Sequence, residues 1–281
     1  MNKVVAIILN YNSAKDSLKC VKYLLNQDYP DFEIVIVDNN SNVSDYQEVR
    51  LGVDEFNNSS IELVRNEDNS GFSAGNNVGL RYAKKKNAKW ALIINPDVEL
   101  RNPKYVTSMI EIVQNVPKVA VAASNIILPS GQRQNPMVEP TFFEELCWPL
   151  ESIARKIKKK SSYLGENKTG YCEKVSGCCF FVQMEFVEQI GYLDENVFLY
   201  CEEPILASTV KKYGFKEWYV RELTAYHMHI KSEKGNPRKR LQLFRESRRY
   251  YWKNYSGYGK IRLFFLLLSD KLYCFFMCRE R

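Results

Sequence analysis

Four short apolar runs in the first hundred residues each stop abruptly at polar residues, and this punctuation restricts the fold more than any other feature. Val4–Leu9 ends in Asn10-Tyr11-Asn12, Ile34–Val37 in Asp38-Asn39-Asn40-Ser41, and Ile61–Val64 in Arg65-Asn66. The segment Trp90–Leu100 carries W-A-L-I-I and breaks at Asn95-Pro96-Asp97. Unbroken apolar runs of this length, bounded by turn residues, are the pattern of strands buried on both faces, as in a parallel sheet. Helical spacings lie between them. Ser17, Leu18, Val21, Leu24 and Leu25 share a face behind a Ser13 cap, and Ala74–Lys86 supplies another helix. Strands alternating with helices predict βαβ units, hence an α/β protein with helices flanking its sheet.

Ligands of open α/β sheets bind beyond the carboxyl ends of the strands. Asp97 falls at such an end, where a carboxylate can hold a divalent cation against a phosphorylated ligand; an ordinary turn after a strand reads the same way. None of the strand exits offers a catalytic His or Ser, which favours nucleotide binding over hydrolysis. The loop Asn69–Gly79 opens a helix, with glycines at 71, 75 and 79. That spacing is neither G-x-G-x-x-G nor a P-loop, since no Gly-Lys-Ser/Thr follows. Glycines let backbone approach a ligand and a helix N-terminus favours anions, although a plain Gly-rich turn fits equally well.

Taken in order, N-Y-N at 10–12, V-D-N-N-S at 37–41, R-N-E-D-N-S-G-F-S-A-G-N-N-V-G at 65–79 and N-P-D at 95–97 form a specific set. The pattern continues through Gly177–Val182, Gly191–Glu195 and Phe198–Glu203, and closes at His227 and Ser232. Over roughly residues 3–232 it resembles family 2 glycosyltransferases of the GT-A fold, in particular the bacterial rhamnosyltransferase-like branch. The resemblance implies a Rossmann-like, mostly parallel sheet flanked by helices over residues 1–230, with a helical extension over 231–281. It implies that Asn10, Tyr11 and Asn12 lie against the nucleotide base and that Asp38 engages base or ribose. Asn69, Gly71 and Asn76 would line the donor pocket. Asn95 stands at the first position of a D-x-D-like motif and Asp97 at its last, making Asp97 the inner-sphere metal ligand. His227 matches a His that completes the metal site in several relatives, with His229 as rival or supporting residue.

This chemistry is coherent. A nucleoside diphosphate leaving group gains negative charge as the sugar–phosphate bond breaks, and Mg²⁺ or Mn²⁺ across its oxygens stabilises that charge. A single carboxylate suffices for Mg²⁺, whereas an imidazole ligand shifts preference toward Mn²⁺. In the family the acid pair at Glu202-Glu203 commonly reads Glu-Asp, and the second acid takes the proton from the acceptor hydroxyl. Here that acid is Glu203, one methylene longer, and the acid usually found two positions later is Ile205. A Glu performs the same transfer if it reaches the hydroxyl. Alternatively both acids form a solvated turn before a helix Ile205–Lys212, where negative charge is stabilising anyway.

At 281 residues one large α/β domain plus a small appendage is expected. Eight Cys show no paired C-x-x-C spacing, and Met1-Asn2-Lys3 does not open a signal peptide, so reduced thiols in a cytoplasmic protein are expected. The insertion Thr141–Lys160 reads as an acceptor-side flap or a surface loop. From Lys231 onward 14 Lys/Arg face 4 Asp/Glu, so this tail carries about +10 of a chain whose total is +7. Ile261–Leu268 and Leu272–Met277 are apolar but interrupted by Ser269-Asp270-Lys271, too short to span a bilayer. Such a stretch suits an interfacial helix on anionic lipid at the inner face of the cell membrane; a homodimer interface or a helix docked on the domain are the alternatives. No nucleic-acid-binding motif accompanies the charge.

Together these readings give an inverting, metal-dependent hexosyl- or rhamnosyltransferase. Its donor would be a UDP- or dTDP-linked sugar and its acceptor a glycan or lipid-linked glycan in cell-surface polysaccharide synthesis. The alternative is a non-catalytic nucleotide- or glycan-binding relative, which Glu203 and Ile205 in place of the usual acids would permit. A nucleotidylyltransferase would want a Gly-rich, basic loop directly after the first strand, and Asn10-Tyr11-Asn12-Ser13-Ala14 is not one.

Overall fold

The structure, a computed structural model, describes residues 2–148, 168–228 and 236–279. The four apolar runs become β1 (Val4–Asn10), β2 (Phe32–Asp38), β3 (Ile61–Arg65) and β4 (Trp90–Ile94). They lie parallel in the order β3-β2-β1-β4, and the register pairs Asn10 with Asp38 and Asp38 with Arg65, so the polar exits line one edge. Alternate residues of β1 feed opposite layers. Val4, Ala6 and Ile8 pack with α1 (Ala14–Leu25) and α2 (Val43–Phe56), whereas Val5 and Ile7 pack with α3 (Phe72–Lys85). Burial on both faces is why these strands are apolar without alternation.

Ser13 stands at the N-cap of α1 but does not cap it. Its hydroxyl donates to Asn10 Oδ1, and Asp45 Oδ2 accepts from the Ala14 amide at 2.9 Å instead. The cap therefore comes from α2, a long-range contact that tightens the turn after β1.

Beyond β4 follow β5 (Val98–Glu99), α4 (Tyr105–Val113), β6 (Val119–Ile127), α5 (Phe142–Leu146), β7 (Gly170–Cys172), β8 (Cys179–Gln183), α6 (Met184–Ile190), α7 (Glu202–Lys212) and β9 (Lys216–His227). The nine-stranded sheet is parallel through its first half and mixed beyond it. Antiparallel β8 sits between β4 and β6, β9 runs parallel to β6, and β5 and β7 pair antiparallel with β9. The reversal of β8 places its first residue, Cys179, opposite Ile94, the last residue of β4. Residues 177–178 thereby arrive at the carboxyl end of the parallel strands.

The basic extension forms α8 (Pro237–Asn254), with Asn236 capping it and Pro237 in its first turn, and α9 (Lys260–Arg279). Tyr251, Trp252 and Leu266 join Val197, Cys201 and Ile205 in a third apolar cluster. Its buried charges are paired, as burial demands. Arg248 and the Trp252 indole donate to Glu145 Oε2 at 2.6 and 2.8 Å, and Asp270 accepts from Arg245 and Arg249. Among the described residues no helix is long and apolar enough to cross a membrane.

Candidate active site

Two groups of side chains meet where β8 starts. The first is built by the turn after β4. Asp97 immediately precedes β5, whose Val98 pairs with His227 at the end of β9, and the Met228 amide donates to the Asp97 carbonyl at 2.8 Å. This brings His227 Nε2 to 3.3 Å from Asp97 Oδ2. The other ring nitrogen, Nδ1, lies 2.7 Å from Gln134 Oε1, which fixes the ring and directs Nε2 at the carboxylate. Burial disfavours the imidazolium, but hydrogen bonds from the ring to Asp97 and Cys178 outweigh it and raise the His227 pKa to about 10. The Asn95 amide donates to the Cys178 carbonyl at 2.8 Å, closing the turn against β8.

No cluster of three or more His, Cys, Asp or Glu fit to hold a metal exists among the described residues. The pair Asp97–His227 is nonetheless a suitable partial set. Two ligands at ~2.1 Å and right angles on one ion lie about 3.0 Å apart, close to the observed separation, and Mg²⁺ sites commonly draw the remaining oxygens from phosphates and water. His229 and Ser232 lie outside the described residues.

The second group opens α7. Tyr200 (φ 74°) and Cys201 (φ 65°) are consecutive non-glycine residues in the left-handed region, a strained entry that costs on the order of 1–3 kcal/mol per residue. Glu202 and Glu203 follow in the first helical turn, so the helix begins earlier than the Ile205 start expected from the sequence. Both acids line a cavity of about 440 Å³ together with Phe72, Gly177, Asp194 and Tyr255. Glu203 Oε1 accepts from the Gly177 amide at 3.3 Å, and Glu203 also borders a smaller cavity of about 270 Å³ walled by Trp148 and Arg248. Glu202 Oε1 is buried without a hydrogen-bond partner among the described residues. Burial, and then the neighbouring Glu203 charge, push the Glu202 carboxyl up to about 8. Ile205 turns into the third cluster, where an acid would be desolvated against Trp252.

The remaining candidates surround the exits of β1 and β2. Asn10 and Asp38 are fully buried and bond to each other. Asn10 Nδ2 also donates to Asp45 Oδ1 at 2.8 Å, its Oδ1 accepts from Ser17, and Asp38 Oδ2 accepts from the Ser41 amide. These two side chains therefore fix the turn, while Tyr11 and Asn12 expose theirs beside it. Asn69 Oδ1 accepts from Asn39, and Asn39 Oδ1 from Asn66, joining the two loops. Asn76 donates to the Phe72 carbonyl, leaving its buried Oδ1 unpartnered among the described residues. Gly71 has φ 100°, and a Cβ there would stand 2.3 Å from the Phe198 carbonyl oxygen, which already accepts from the Phe72 amide.

Asp97, Asn95, His227, Glu202 and Glu203 are thus gathered around Gly177 and Cys178, with Asn69, Gly71 and Asn76 on the loop that abuts Phe198. Several supporting contacts were not assigned from the sequence: Gln134 and Tyr250 lie outside the ordered motifs, and Cys178, Asn77 and Asp194 lie inside them without a stated role. Gln134 and Cys178 hold His227 from segments far away in the chain. Asn77 clamps the Leu193 backbone through both its amide atoms, and Tyr250 donates to Asp194 Oδ2 at 2.8 Å.

The model of Glycosyl transferase family 2 matches residues 5–190. The low-salt glycan biosynthesis hexosyltransferase Agl10 of Haloferax volcanii is 28% identical over 200 residues, which is 70% of this chain and 58% of that protein. The N-acetylglucosaminyl-diphospho-decaprenol L-rhamnosyltransferase of Mycobacterium tuberculosis is 22% identical over 166 residues, 56% of this chain and 53% of its own length. The chain thus spans little more than half of these curated relatives. Among solved structures, the mannosyltransferase PcManGT from Pyrobaculum calidifontis, in complex with GDP-Man and Mn²⁺, superposes with a TM-score of 0.62 at 16% identity, covering 95% of this chain and 68% of that one. GalNAc-T7 with UDP, GalNAc and Mn²⁺ gives 0.64 at 16% identity, over 91% and 49%. These likenesses establish the GT-A fold. With the matched model covering most of the strands and the first six helices, the chain belongs to glycosyl transferase family 2.

Proposed function

We propose that this chain transfers a hexosyl or rhamnosyl group from a UDP- or dTDP-linked donor to a hydroxyl of a glycan or lipid-linked acceptor, inverting the anomeric carbon. The observation that carries this reading is the meeting of two groups at consecutive residues: Gly177 bonds Glu203, and Cys178 lies against the Asp97–His227 pair. A base for the acceptor and a holding point for the donor diphosphate thereby stand side by side. The loop Asn69–Asn76 and the turn at Tyr11–Asn12 would receive the nucleotide.

Asp97 and His227 are the residues that would hold Mn²⁺ or Mg²⁺, with the imidazole favouring Mn²⁺. When bound, the ion would offset the negative charge growing on the diphosphate oxygens. Glu203 would accept the proton of the acceptor hydroxyl as that oxygen bonds to the anomeric carbon and the bond to the diphosphate breaks. Gly177 would orient the Glu203 carboxylate, and Glu202, neutral through burial, would add no second repelling charge. Two relatives act on sugars by name, and one of these names a diphospho-decaprenol, which supports a lipid-linked acceptor for this chain.

Screening UDP-, dTDP- and GDP-sugars for binding by calorimetry, with Mn²⁺ and with EDTA, and for donor hydrolysis tests the reading. Metal-dependent binding of one nucleotide with sugar release is expected. Binding without turnover of any donor would leave the non-catalytic alternative, and no binding at all would overturn the proposal.

A further inference from the structure

The outer face of α9 is apolar although nothing among the described residues covers it. Ile261, Phe264, Phe265, Leu268 and Leu272 are all exposed, at 77% for Ile261 and 61% for Phe264. Their spacing of three and four residues puts them on one stripe of the helix. The opposite stripe, Leu263, Leu266, Leu267 and Asp270, is the one packed on the body. Exposed Phe143 of α5 lies beside Phe142, which contacts Arg262. Partly exposed aromatic and aliphatic side chains in this number present on the order of 500 Å² of apolar surface, the upper end of what a monomer leaves uncovered without a partner.

Charge identifies that partner. Exposed Lys260 and Lys271 lie about 80–100° to one side of the stripe and exposed Arg262 about as far to the other, given 100° per residue. These are the positions from which long basic side chains reach the headgroups while an apolar face enters the acyl boundary. The single acid of α9, Asp270, is buried and paired inward with Arg245 and Arg249, so it does not offset them. Two copies packed stripe to stripe would bring like charges together with no acid of α9 between them, which is unfavourable.

We infer that the outer stripe of α9 seats on an anionic bilayer. The seat is rigid. Ser269 Oγ donates to the Leu146 carbonyl at 2.7 Å, Asp270 fastens α9 to α8, and α8 reaches the segment before α7 through Ser247 to Leu199 and Tyr250 to Asp194. A bilayer-seated α9 would therefore hold the 440 Å³ cavity at one fixed attitude to the membrane. Bilayer seating by α9 does not depend on the transferase chemistry.

Co-sedimentation of the full chain with phosphatidylcholine vesicles, with and without 30% phosphatidylglycerol (about one lipid in three, enough to give a surface potential), is the test. The comparison is F264S/F265S/L268S, which alters exposed positions only. Binding to the anionic vesicles, weakened about tenfold or more by the triple change and reduced by salt, is expected. An unchanged melting temperature excludes misfolding as the cause, and a Lys260→Glu/Lys271→Glu variant that also loses binding provides a second check. Equal binding by wild type and both variants overturns the inference. So does a solution dimer that the triple change dissociates while wild type ignores vesicles. Donor binding by calorimetry is read separately, so failure here and failure of the transferase reading are distinguishable.

Discussion

Glu202 and Glu203 are chain neighbours with opposite surroundings, and the proposed chemistry depends on that difference. Glu203 is hydrogen-bonded at the cavity, whereas one Glu202 oxygen is buried and unpartnered among the described residues. Glu203→Gln keeps size and removes basicity, so transfer should fall roughly a hundredfold or more while donor affinity survives. If Glu202→Gln proves the more damaging in single-turnover assays, the base is one residue earlier. Glu202 also makes a pH prediction. Its folded pKa, about 8, exceeds the ordinary 4.5, so the folded state is favoured below the ordinary value and loses stability as pH rises through 8. Glu202→Gln should therefore melt like wild type at pH 5 and above it at pH 8.5 in thermal scans. At the other group, Asp97→Ala should abolish turnover and weaken nucleoside diphosphate binding in Mn²⁺, with His227→Ala the next most damaging ligand change. Metal titration of activity checks the order; equal activity of wild type and His227→Ala at limiting Mn²⁺ would remove His227 from the site.

At the scale of elements, the loop proposed to receive the donor and the entry to α7 are one unit. Gly71 and Phe72 meet Phe198, and the loop from Asp194 to Cys201 enters α7 through two left-handed residues. Gly71→Ala would place a Cβ against the Phe198 carbonyl at a positive φ, costing about 2–3 kcal/mol and displacing the strand of chain that ends in Glu203. Chemical denaturation should show that loss, and transfer should drop further than donor binding. The sequence made β1 to β4 and the helices between them legible because continuous apolar runs and 3.6-residue spacing are local signals. It also singled out Asp97 and the Glu pair as candidates. It did not reveal that Asn10 and Asp38 would spend their side chains on each other, nor that Asp45 rather than Ser13 would cap α1. Those outcomes depend on which strands pair, and pairing is not written locally.

Considered as a whole, the molecule uses its basic extension as a brace. α8 and α9 close the third apolar cluster over Ile205, and among the described residues Arg248 donates to Glu145 of α5 and lies against the aromatic faces around it. Removing the chain after Gly257 would strip Asp270 from Arg245 and Arg249 and uncover that cluster. Taking one partner from a buried ion pair costs about 3–5 kcal/mol, which for a chain of this size lowers Tm by roughly 10 °C. The truncated protein is therefore expected to melt well below the full chain and to lose transferase activity in proportion, although every family-matched residue precedes Ser232. Calorimetric melting of both forms checks it; an unchanged Tm would make the extension a separate appendage.

The sequence by itself determined the α/β class, the family and the identities of the charged groups, because apolar periodicity and short ordered motifs are properties of neighbouring residues. Only the tertiary structure decided that β8 runs backwards, which carries Gly177 and Cys178 to the end of β4 and so joins Glu203 to Asp97 and His227. The tertiary structure also decided that one stripe of α9 packs inward and the other is left to solvent. Both stripes are apolar, so periodicity could not choose between them; the buried pairing of Asp270 with Arg245 and Arg249 does.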